Sequence, residues 1–129
     1  MRENLNYIYR EAAKKFADKI ASALGDQIDS IVLYGSVARG EATEDSDIDI
    51  LIISPDVERV RGKISQMRGD FAYERNYDFF ISLIDYTREE FCRIKAFGSP
   101  FIEEVTRDGV ILYDNGIFSR VREEGARVR

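Results

Sequence analysis

The sequence predicts an α/β fold in which a small mixed sheet of about four strands is packed with helices. Three observations lead there. Segments with apolar residues at three- and four-residue steps alternate with short β-branched runs. The helical segments carry start or stop signals. The chain has 129 residues, 44% hydrophobic and 33% charged, which suits one core and leaves little room for a second. A single domain over residues 1–129 is the expectation.

Leu5, Ile8, Ala12, Phe16, Ile20 and Leu24 form the apolar stripe of a first helix, which Gly25 is placed to end. Ile28 to Tyr34 reads as a buried strand broken by Gly35, and Val37 to Glu41 as a short helical turn. Asp47 to Ser54 is a second strand, stopped by Pro55. Val57, Val60, Ile64, Met67 and Phe71 mark a second long helix capped by Asp56. Tyr77 to Ile84, aromatic and β-branched, reads as a third strand. Thr87 with Glu90 makes a capping box for a helix ending near Gly98. Ser99-Pro100 opens another helix, which runs to about Asp108 with Gly109 as its left-handed stop. Val110 to Tyr113 is a short fourth strand, and the charged tail after Asn115 is either a last short helix or a frayed end.

Composition removes whole classes of chemistry. With no histidine and one cysteine, Cys92, the chain has no histidine acid–base catalysis, no histidine-ligated zinc, no four-cysteine zinc site and no internal disulfide. A bound metal must be held by oxygen, which points to Mg²⁺ or Mn²⁺. The net charge of −5 argues against a grip on long nucleic acid. Residues 1–7 hold no apolar signal core, and no apolar run reaches the roughly 20 residues a membrane span needs. The expected location is cytoplasmic.

The chemistry concentrates in YGSVARGEATEDSDIDILIIS, residues 34–54. Alternation puts Asp47 and Asp49 on one face of a strand, with Leu51 and Ile53 further along it, while Ile48, Ile50 and Ile52 face a core on the other side. Two neighbouring carboxylates repel, and one takes up a proton unless a cation intervenes. Mg²⁺ accepts carboxylate, water and phosphate oxygen as ligands, and two such ions about 4 Å apart can clamp an in-line displacement at phosphorus. Gly35-Ser36, at the end of the preceding strand, suits phosphate: the glycine permits close backbone approach, the hydroxyl adds a donor, and Arg39 lies about one turn on. One side of the site wants metal and the other phosphate, which suits a nucleoside triphosphate.

The segment GSVARGEATEDSDIDIL, with ten residues between Ser36 and Asp47, resembles the signature of the DNA polymerase β-like nucleotidyltransferase superfamily, and is most similar to the minimal nucleotidyltransferases. SPFIEEVTRDGVILYD resembles their usual ending. The resemblance runs from about Ile20 to Asp114, leaving residues 115–129 as a charged tail. It implies the polymerase β-like nucleotidyltransferase fold and a third acid on a later strand, which Asp78 in NYDFFISLID matches; Asp85 competes but reads as turn chemistry. It also implies roles. Asp47, Asp49 and Asp78 hold two Mg²⁺ ions, and Asp78 serves the acceptor hydroxyl. Gly35, Ser36 and Arg39 hold the phosphates of ATP, and Ser46 orients the loop entering the acid pair.

Minimal nucleotidyltransferases commonly pair with a small helical toxin of the HEPN class, whose tyrosine hydroxyl receives AMP. The resemblance therefore implies an AMP-transferring antitoxin with a HEPN-type partner. A nucleotidyltransferase for small molecules such as aminoglycosides, and a module that neutralises a partner by contact alone, stay open beside it, as does a homo-oligomer. Cys92 reads as a packing residue, Arg88, Arg93 and Lys95 as a solvated helix face, and Arg120 to Arg129 as a solvated end.

Overall fold

The computed structural model describes residues 2–128, with side chains over 4–124. Met1 and Arg129, which belong to the two terminal readings above, lie outside those residues. The elements follow as α1 (Arg2–Leu24), a 3₁₀ turn (Gly25–Gln27), β1 (Ser30–Tyr34), α2 (Gly35–Ala38), β2 (Ile48–Ser54), α3 (Val57–Glu74), β3 (Ile81–Thr87), α4 (Arg88–Phe97), α5 (Pro100–Asp108), β4 (Val110–Asp114) and α6 (Ile117–Val128). The sheet order is β3-β2-β1-β4. β1 runs antiparallel to both β2 and β4, and β2 runs parallel to β3, so the sheet is mixed as expected.

Helices cover both faces of the sheet. Ile31, Leu33, Ile48, Ile50 and Ile52 pack with Phe16 and Ile20 of α1 and with Ile64 and Phe71 of α3. The alternate residues Val32, Leu51 and Ile53 pack with Phe91 of α4, Ile102 and Val105 of α5, and Phe118 of α6. Burial on two sides is why Ile48 to Ser54 reads as a nearly continuous apolar run rather than an alternating one. Each of these large side chains contributes about 1.5–3 kcal/mol of hydrophobic stabilisation. The encoded caps form: Asp56 accepts from Arg59 N–H, Thr87 and Glu90 make a reciprocal capping box, Ser99 accepts from Ile102 N–H, and Gly98 closes α4 in the left-handed region at φ +85°. Among the described residues no helix is long and apolar enough to cross a membrane.

Several local readings change. The third strand begins at Ile81 instead of Tyr77, because Asn76 and Tyr77 adopt left-handed φ of 55° and 59° and turn the chain after α3. Asp85 belongs to β3, opposite Ile52, and accepts both guanidinium bonds of Arg61 at 2.9 and 3.0 Å. Gly109 is extended (φ −62°, ψ 143°) and is needed for space: a Cβ there would lie 2.5 Å from Val105 O and 2.8 Å from Val32 Cγ1. The segment after Asn115 is a packed helix. It buries Phe118 and Val121, and Arg122 donates to Thr106 O and Gly109 O. Cys92 is exposed. Arg88 is no free surface charge, since it binds the buried Asp29.

Candidate functional site

β1 and β2 meet antiparallel with Tyr34 opposite Asp49. The end of β1 therefore delivers Gly35 directly onto Asp49. Gly35 has φ +77°, and a Cβ on it would collide with Asp49 Oδ2. The glycine is required twice, for its backbone angle and for the carboxylate lying on it. Ser36 follows within α2, whose end turns back through Arg39 N–H to Gly35 O (3.2 Å) and Glu41 N–H to Ser36 O (2.9 Å).

A cleft of about 380 Å³ opens here, lined by Gly35, Ser36, Arg39 and Asp49 on one side and by Phe101, Glu104 and Asp108 of α5 among others on the opposite side. Tyr34 stacks edge-on against Phe101 and forms an apolar wall. Burial first, then the charge of Asp49, pushes the Tyr34 phenol up to about 12, so it stays protonated at neutral pH. Asp49 is half-buried. Burial first and then Asp47 raise its carboxyl above the ordinary range, and Arg39 opposes them. Arg39 is engaged by Glu41 (2.9 Å) and by Glu104 (3.1 Å). A polyphosphate entering the cleft would compete with these carboxylates for one guanidinium, so a cation carried with it relieves the charge balance.

Ser46 joins the same loop. Its hydroxyl accepts from Thr43 N–H at 2.8 Å and stands 3.3 Å from Ser36 Oγ. Asp47 is exposed, just ahead of β2, two residues from Asp49. Asp78 is exposed in the turn before β3, its N–H donating to Arg75 O at 3.0 Å. The structure thus assembles Gly35, Ser36, Ser46, Arg39 and Asp49, and does not close Asp47, Asp49 and Asp78 into one group: among the described residues, no three acidic, cysteine or histidine side chains stand close enough to hold a metal ion. Asp47 and Asp49 supply the oxygen chemistry a hard cation needs, and their mutual repulsion is what such a cation removes.

Sequence reasoning missed the contribution of α1. Arg10 donates to Val37 O (3.2 Å) and Ala38 O (2.6 Å), Asn6 accepts from Ala42 N–H (2.9 Å), and Tyr9 OH donates to Glu44 O (3.3 Å). The i, i+3, i+4 spacing of these three polar residues was the available signal.

Comparison with known proteins places this geometry. A family model described as a nucleotidyltransferase domain matches residues 13–112. A protein of Methanocaldococcus jannaschii, provisionally named a protein adenylyltransferase, is 34% identical over 100 residues, spanning 78% of this chain and 94% of its own. Among solved structures, a toxin–antitoxin complex with AMP-PNP aligns at TM-score 0.56 and 18% identity, covering 89% of this chain and 85% of that one. A provisionally named nucleotidyltransferase of Sulfolobus solfataricus aligns at TM-score 0.54 and 20% identity, covering 88% and 87%. At these identities the structural likeness is one of fold.

Proposed function

The chain belongs to the nucleotidyltransferase domain family, and from that premise we propose that it transfers AMP from ATP to a hydroxyl of a protein acceptor, with release of pyrophosphate. The carrying observation is the seating of the Asp49 carboxylate against Gly35, which juxtaposes one member of the acid pair with the turn bearing Ser36. In this reading Gly35, Ser36 and Arg39 hold the phosphates. Ser46 fixes the loop between them and the acids through Thr43 N–H. Asp47 and Asp49 would hold Mg²⁺, which when bound supplies positive charge to the phosphates and to the attacking oxygen.

Asp78 is the proposed third acid, completing the ligands of two ions. The β2–β3 pairing supports it: Ile48 N–H donates to Phe80 O at 2.9 Å, so the ladder continues one residue beyond β3. Extended two residues further in the Ile48–Ile81 register, Asp78 would share the face of Asp47 and Asp49. As the third acid it would accept the proton of the acceptor hydroxyl.

A helical HEPN-type toxin is the proposed acceptor. The 34%-identical relative named a protein adenylyltransferase supports a protein acceptor, and the toxin–antitoxin complex with AMP-PNP shares the fold. The test is intact mass of a co-expressed helical partner after incubation with ATP and Mg²⁺. AMP increments with the wild type, absent with Asp47→Ala and Asp49→Ala, are the expected result. Near-normal transfer by either variant would refute the assignment. An unmodified partner that still binds would point to neutralisation by contact, and transfer to an aminoglycoside without any partner would point to a small-molecule enzyme.

A further inference from the structure

We infer that Arg10 is a positioning residue for this site, through which α1 sets the Gly35–Ala38 turn against the Asp49 carboxylate. The inference deepens the reading above and rests on it for the nucleotide. It is carried by hydrogen bonds that converge from one helix face onto one loop. The Arg10 guanidinium donates through Nε to Val37 O and through Nη2 to Ala38 O. These carbonyls belong to the end of α2, where helical carbonyls run out of partners within the helix. A planar, permanently charged fork suits two adjacent carbonyls in a way a lysine ammonium does not.

Neighbouring residues on the same face hold the rest of the loop. Asn6 Oδ1 takes Ala42 N–H, and Tyr9 OH reaches Glu44 O. The Tyr9 ring packs edge-on against Phe79 at 5.5 Å, beside Asp78. About one turn of α1 thereby touches the phosphate side of the cleft, the loop leading to Asp47 and the turn bearing the proposed third acid. None of these three side chains lines the cleft itself, while Asn6 and Arg10 border a separate cavity of about 640 Å³ beside β4, so toward the cleft they act through the loop. The tolerance at Gly35 is small, since even a methyl group there has no room beside Asp49. A turn released from Arg10 would lose the placement of Ser36 while the two cores beneath it stay packed.

The test combines three measurements on wild type, Arg10→Met and Arg10→Lys: amide hydrogen exchange of ligand-free protein, calorimetric affinity for ATP with Mg²⁺, and urea denaturation. Arg10→Met is expected to speed exchange selectively over residues 35–44 and to weaken ATP binding about tenfold, with the denaturation midpoint nearly unchanged. Arg10→Lys should recover part of both effects. Unchanged exchange over 35–44 in Arg10→Met overturns the inference. So does an affinity loss that tracks a lowered denaturation midpoint with exchange raised throughout, which is what a merely structural residue would give. If the wild type binds no ATP, the functional reading fails, and the local exchange contrast alone decides the positioning role.

Discussion

Gly35 and Gly62 show how differently one residue type is used. Gly35 sits at φ +77° with Asp49 Oδ2 where a Cβ would be. Gly35→Ala combines a left-handed backbone penalty with displacement of a carboxylate, about 1–3 kcal/mol in all. It should lower the urea midpoint and abolish calorimetric ATP binding together. Gly62 lies mid-way along α3, exposed, with nothing within 4 Å of where a methyl group would stand. Gly62→Ala should stabilise the protein by about 0.5–1 kcal/mol and leave ATP binding unchanged. A loss of stability on Gly62→Ala would contradict the space found there. The sequence makes Gly35 legible as a ligand-approach glycine because a strand, a serine and an acid pair surround it. Arg10 has no such signature: its partners are backbone carbonyls 27 and 28 residues away, and carbonyls look alike in every sequence.

Elements whose ends are written into neighbouring side chains were readable, and those ended by backbone conformation were not. Asp56, Thr87 with Glu90, and Ser99-Pro100 mark the starts of α3, α4 and α5. The start of β3 is set by Asn76 and Tyr77 at positive φ, and a tyrosine there carries no turn signal. The start of α6 was also hidden. Asp114, the last residue of β4, accepts from Ser30 Oγ (2.7 Å), from the N–H groups of Gly116, Phe118 and Ser119, and from Ser119 Oγ. Its caps act across a strand–helix junction, with Ser30 contributed by another strand 84 residues earlier. Burial pushes this carboxyl up, but the bonds from Ser119, Ser30 and the backbone outweigh it and hold the group below its ordinary range. A folded-state value below the unfolded one means the native state binds fewer protons in that window. The stabilisation is present above the unfolded value and is lost as pH falls through the folded one. Wild type should therefore lose stability more steeply than Asp114→Asn as pH drops below about 4. Urea titrations at stepped pH check this, and parallel acid limbs would remove Asp114 from the account.

At the scale of the whole molecule the sheet has two unlike ends. The strand directions put Tyr34, Asp49 and the start of β3 at one end, and Ser30, Ser54, Thr87 and Asp114 at the other. The far end is dense with paired polar groups. Asp29, 1% exposed, accepts both guanidinium bonds of Arg88 at 2.9 Å and one from Asn115 Nδ2 at 2.9 Å. Ser54 Oγ donates to Gln27 O at 2.7 Å. Among the described residues no buried side-chain nitrogen or oxygen lacks a partner. The site end carries the opposite condition, two like charges on one strand face and a cleft rimmed by further carboxylates. Such crowding is tolerable because two cores and the stapled end fix the sheet independently of it. Removing the staple should therefore cost stability without touching the site. Arg88→Met leaves the Asp29 carboxylate buried with Asn115 as its remaining side-chain donor, and should lower the urea midpoint clearly. In the folded protein, well below its melting temperature, affinity for ATP with Mg²⁺ should stay within about twofold of wild type, as for distant independent positions. Urea denaturation and calorimetry on the same samples separate the two quantities. A tenfold fall in affinity would mean that the two ends of the sheet are coupled and that the site depends on the staple for its shape.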